Sequence, residues 1–142
     1  MPQPHTNTRL TDLKWHKRQQ TISLLFADGT EGTLSAEFLR VFSPSAEVRG
    51  HGGGEAMLVI GKEQVKIVSI EPVGRYAVKL VFDDGHDSGL YDWNTLHDFC
   101  LNKDAMWQRY IERLEAVGLS RATAKAPKNL LIKDLLADNQ GN

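Results

Sequence analysis

The chain has 142 residues, 41% of them hydrophobic and 25% charged, a globular composition long enough to bury one core and too short for several domains. A net charge of −1 gives no global basic field for nucleic acid, one cysteine excludes an internal disulfide framework or an all-cysteine metal site, and the apolar runs are too short to span a membrane. The amino terminus lacks the apolar stretch of a secretory leader, so the expected compartment is the cytoplasm.

Residues 1–8 are polar and punctuated by proline, and read as a flexible tail. A first strand follows, with Leu13 and Trp15 as its inward pair, then a turn at residues 17–19 and a second strand starting with Ile22, Leu24 and Phe26. Asp28-Gly29 is a hairpin turn into a third strand, so three antiparallel strands form a meander. Ser35 is a helix N-cap, and the helix it starts is short because Pro44 holds Ser43 away from helical angles. Residues 42–54 contain four glycines and a proline. A loop of that length in a compact domain is usually functional or disordered.

Residues 57–60 read as an edge strand before a Gly61-Lys62 turn, and residues 65–70, apolar on nearly both faces, as a central strand that ends at Pro72. Val78, Leu80 and Phe82 then alternate into the turn Asp84-Gly85, with His86 immediately after it. Phe26, Asp28 and Gly29 match Phe82, Asp84 and Gly85 at a constant offset of 56 (82 − 26), which makes the chain two strand-turn-strand-helix units joined by a long loop. Asp92 caps a helix carrying Trp93, Leu96, Phe99 and Cys100. After Asn102 a second, amphipathic helix is expected over residues 103–119, with Trp107, Tyr110, Ile111 and Leu114 on one stripe and Gly118 at its end, and a flexible, mildly basic tail over 120–142. The fold class is α+β: one antiparallel β-rich core with a C-terminal helix.

Motif chemistry is sparse. Gly50-His51-Gly-Gly-Gly54 lacks the Lys-Ser/Thr of a P-loop and reads as a surface loop. Ser43, Ser45, Ser88 and Cys100 lie in no nucleophile elbow or Cys-His frame. His51 and His86 stand where chemistry can use them, with Asp84, Asp87, Glu47, Glu55 and His97 as conceivable co-ligands; the ordinary state of either histidine alone is a hydrogen-bonded residue. The carboxylates Asp83 and Asp84 read as turn chemistry and solubility. Arg75 and Lys79 beside Tyr76 are too few for a single-strand nucleic-acid platform.

Two longer segments carry a resemblance. Leu39-Arg-Val-Phe-Ser-Pro-Ser-Ala-Glu-Val-Arg-Gly-His-Gly52 and Ile70-Glu-Pro-Val-Gly-Arg-Tyr-Ala-Val-Lys-Leu-Val-Phe-Asp-Asp-Gly-His-Asp-Ser-Gly-Leu-Tyr-Asp-Trp93 together resemble the gamma-butyrobetaine hydroxylase-like N-terminal domain family, over about residues 9–102. In carnitine-synthesis hydroxylases that domain precedes an iron- and 2-oxoglutarate-dependent catalytic domain and holds zinc through three cysteines and a histidine. The resemblance puts Ser43, Ser45 and Val48 at the cysteine positions and His86 at the histidine, so three of four ligands are replaced. It implies a stand-alone, non-catalytic binding module. His86 with His51 remains as the donor set for a different zinc or iron site, and Ser43, Ser45, Glu47, Arg49, Asp84 and Asp87 form the expected binding surface. The same domain type occurs fused to scaffold proteins of iron–sulfur assembly, which implies a protein partner in cofactor metabolism.

Overall fold

The computed structural model describes residues 8–44 and 58–121. Two three-stranded antiparallel sheets, β1 (Leu10–His16), β2 (Thr21–Phe26), β3 (Glu31–Ser35) and β4 (Ile67–Val73), β5 (Ala77–Phe82), β6 (Gly89–Asp92), are each followed directly by a helix, α1 (Ala36–Val41) and α2 (Trp93–Ala116). The middle strands show why. Ile22, Leu24 and Phe26 of β2 and Val78, Leu80 and Phe82 of β5 fall at period two and are all buried, while residues between them are more exposed. With Leu34, Leu39, Tyr91, Leu96 and Phe99 they form one core drawn from both sheets and both helices. Val41, Tyr110 and Leu114 form a smaller cluster with Leu58 and Ile60.

The two units repeat in detail. Each first strand shifts register once, between Leu10 and Asp12 and between Ile67 and Ser69. That shift brings Leu10 onto the core with Leu13 and Trp15, as it brings Ile67 and Ile70 together and turns Val68 out to solvent. The Phe26 amide donates to Thr30 and the Phe82 amide to His86, both at 2.9 Å. Gly29 and Gly85 take φ of 89° and 92°, where a side chain would be strained. The caps correspond as well: Ser35 Oγ accepts from the Phe38 amide at 3.0 Å, and Asp92 Oδ1 from the Thr95 amide at 2.7 Å.

Three local expectations need correction. β4 is an edge strand, not a central one, and Pro72 lies inside it opposite Val78; an edge strand has one side on which a missing N–H costs no ladder bond. Residues 58–60 form no strand. The helix does not break after Asn102. The Asn102 side chain donates to the Asp98 carbonyl at 3.1 Å, one turn back, and no glycine or proline interrupts the 24 residues of α2. Its end is as expected: Gly118, at φ 76°, donates to Glu115 and Leu119 donates to Leu114, a Schellman motif. No helix among the described residues is long and apolar enough to cross a membrane.

Candidate functional site

The segment leaving α1 and the turn of the second hairpin meet at a buried corner. Ser43, 1% exposed, stands 2.9 Å through its Oγ from His86 Nε2, and His86 is itself 7% exposed. His86 is placed by the turn before it. Asp84 Oδ1 accepts the His86 amide at 3.0 Å, and Oδ2 accepts Arg40 Nε at 2.8 Å and Lys62 Nζ at 2.7 Å. Burial alone would raise the Asp84 carboxyl, but the bonds from Lys62, the His86 amide and Arg40 outweigh it and hold the group at about 2. Arg40 sits in the last turn of α1, so the ion pair pins the hairpin tip to that helix and sets the imidazole over Ser43.

The floor of the corner comes from β6, where alternation turns Gly89 and Tyr91 inward. The Tyr91 hydroxyl donates to the Leu39 carbonyl, and burial pushes the phenol far above its ordinary range, so it stays a donor. Gly89 leaves no room for a side chain: a Cβ there would lie 2.7 Å from Ser43 Oγ and 2.9 Å from Tyr91 Cε1.

The sequence-predicted residues do not all meet. Ser43, Asp84 and His86 come together. Asp87 is exposed on the hairpin. Ser45, Glu47, Arg49 and His51 lie outside the described residues, as does Glu55. His97 does not join the corner; it pairs with Asp28 Oδ2 at 2.8 Å and packs edge-on against Phe26. Cys100 is half-buried against Gly32, and burial pushes its thiol up to about 11, away from thiolate chemistry. Sequence reasoning missed Arg40, Lys62, Gly89 and Tyr91. The inward alternation of β6 was the available signal for the last two. Asp83 and Asp84 also do more than solubilise a turn, since Asp83 Oδ1 accepts the Lys66 amide at 3.0 Å.

This arrangement suits a structural joint better than a reaction centre. A serine 1% exposed cannot meet a substrate. A thiolate zinc site does not fit either: His86 Nε2 faces a hydroxyl and not a thiolate, and no group of three or more His, Cys, Asp or Glu side chains converges among the described residues.

A family model described as gamma-butyrobetaine hydroxylase-like, N-terminal, matches residues 13–97. Two proteins with solution NMR structures are 49% and 42% identical to the chain. The first match covers 85% of this chain and 89% of the other at a TM-score of 0.71, the second 87% and 97% at 0.70. A crystal structure of a protein of unknown function from Acidithiobacillus ferrooxidans ATCC 23270, placed in the DUF971 family, is 33% identical over 66% of this chain and 93% of that one, at a TM-score of 0.55. No curated protein matches the chain.

Proposed function

The chain belongs to the gamma-butyrobetaine hydroxylase-like N-terminal family, and from that premise we propose that it is a non-catalytic binding module whose Ser43–His86 corner is joined by a hydrogen bond where the hydroxylases' domain uses zinc. The observation that carries this reading is the 2.9 Å contact between two buried side chains, and the resemblance puts one of them at a cysteine position and the other at the histidine position of the hydroxylases' zinc site. A buried polar pair of this kind contributes about 1 kcal/mol when made, and losing one partner costs more because the other is left unsatisfied. The proposed contact face is the charged rim above the corner, Arg40, Lys62 and Asp84, to which the resemblance adds Asp87 of the same hairpin and Ser45, Glu47 and Arg49, the last three outside the described residues. Its partner is a protein of cofactor metabolism, in line with the fusion of this domain type to iron–sulfur scaffold proteins.

A second reading, zinc or iron held by His86 with His51, rests on the resemblance, which puts His86 at the family's histidine ligand position. Metal analysis of the purified, untagged protein separates the two, run beside a His86→Ala variant and after add-back of zinc and iron. The first reading predicts no retained metal, and a melting temperature that EDTA leaves unchanged. Near-stoichiometric metal that disappears in His86→Ala would overturn it in favour of the second.

A further inference from the structure

A cleft of about 550 Å³ opens where β1 begins, between the β4–β5 turn and the start of α2. It is the size of a small-molecule site. Arg9, Arg75, Tyr76 and Trp93 line it, and neither guanidinium makes an ion pair among the described residues. Asp92 adds one carboxylate, with Oδ1 already committed to the Thr95 amide, so the wall carries two positive charges against one negative. The indole is fixed in place, since Trp93 Nε1 donates to the Arg75 carbonyl at 2.9 Å and its amide donates to Tyr76 at 2.8 Å. Tyr76, in contrast, is 72% exposed, an aromatic face left to water beside that ordered ring.

The corresponding joint in the first unit is closed. Gln20 holds the place of Tyr76, accepting the Ala36 amide at 2.9 Å as Tyr76 accepts that of Trp93. The Gln20 side chain then crosses the joint: Oε1 accepts the Ile67 amide at 2.7 Å and Nε2 donates to Lys17 at 2.8 Å. The Tyr76 phenol has no such partner among the described residues, and where the first unit has Ala36 the second has an indole. One backbone plan thus appears twice, plugged once and left open once.

We infer that the open cleft binds a small planar aromatic anion, its ring against Tyr76 and Trp93 and its carboxylate or phosphate on Arg9 and Arg75. A guanidinium matches both anions in two-pronged geometry, and stacking on the rings removes the exposed Tyr76 face from water. The test is an NMR titration of the full ¹⁵N-labelled chain with 1-naphthoate and with adenosine 5′-monophosphate, beside uncharged 1-naphthamide. The expected result is saturable shifts centred on Arg9, Tyr76 and the Trp93 indole with at least one anion, the tighter one identifying a carboxylate or a phosphate occupant. The amide should bind at least roughly tenfold more weakly, and the variant Arg9→Ala/Arg75→Ala should lose at least roughly tenfold in affinity. Both arginines are exposed, so that variant keeps the fold. The inference is overturned if neither anion gives saturable shifts at millimolar concentration, if 1-naphthamide binds as well, or if the double variant binds unchanged. It is overturned equally if the anions bind only once residues 1–7 are deleted, because the chain's own amino terminus would then be the occupant.

Discussion

In the first unit the turn aspartate Asp28 is held by His97, the fifth residue beyond the cap of α2; in the second, Asp84 is held by Arg40, the fifth residue beyond the cap of α1. Each helix therefore clasps the hairpin of the other unit, and the two sheets are tied by a reciprocal pair of contacts at 2.8 Å. The glycines repeat the pattern. Gly32 is crowded by Cys100 and Gly89 by Ser43, residues that stand at the same distance beyond their caps. What differs is the chemistry at those matched positions. The first unit's glycine meets a protonated thiol from α2, while the second unit's glycine meets a hydroxyl from the segment after α1, bonded to His86, where the first unit has Thr30. A duplicated backbone can thus keep its packing while only one copy carries the polar corner.

The largest expected effect comes from filling the two glycine contacts. Gly89→Ala should cost about 3 kcal/mol, because its Cβ meets the buried Ser43 and Tyr91 side chains at once, whereas Gly32→Ala should cost about 1 kcal/mol, its nearest neighbour being the Cys100 sulfur. Urea unfolding of the two variants compares them, and equal costs would break the asymmetry. Removing the Ser35 cap or the Asp92 cap by alanine should cost about 1 kcal/mol each, Asp92 slightly more because its charge also faces the positive end of α2. Thermal unfolding measures that pair.

The smallest effect is a difference in slope with pH. Asp28 is lowered to about 2 by the Thr30 amide and then by His97, and Asp84 to about 2 by the bonds that outweigh its burial. A depressed folded pKa contributes stability above the ordinary value of 3.8 and loses it as pH falls through about 2. The wild-type protein should therefore lose stability across that window, and Asp84→Asn should flatten the loss. An unchanged acid-unfolding profile in Asp84→Asn would mean that Arg40 and Lys62 do not clasp the turn.

Much of this plan was legible in the sequence because its signals are local. Asp28-Gly29 and Asp84-Gly85 set the hairpins, Ser35 and Asp92 the caps and Gly118 the helix end, and the constant offset already pointed to two units. The failures were also physical. Asn102 and Asp104 look like a break by propensity, yet the Asn102 side chain bonds within the helix. Two apolar faces on residues 65–70 suggested a central strand because periodicity carries no account of the register shift that turns Val68 outward. The clasp of Asp84 by Arg40 joins residues far apart in the chain, and no spacing rule reaches across a 44-residue separation. The Ser43–His86 contact came within reach only through the family resemblance, which set the two segments side by side.

Under the proposed function a hydrogen bond, not a metal, joins that corner. A double-mutant cycle of Ser43→Ala and His86→Ala, with stability measured in EDTA and again with added zinc, tests it most directly. A hydrogen-bonded corner gives a coupling of about 1 kcal/mol that is the same in both conditions. Coupling near zero in EDTA, or coupling that emerges only with zinc, would contradict it.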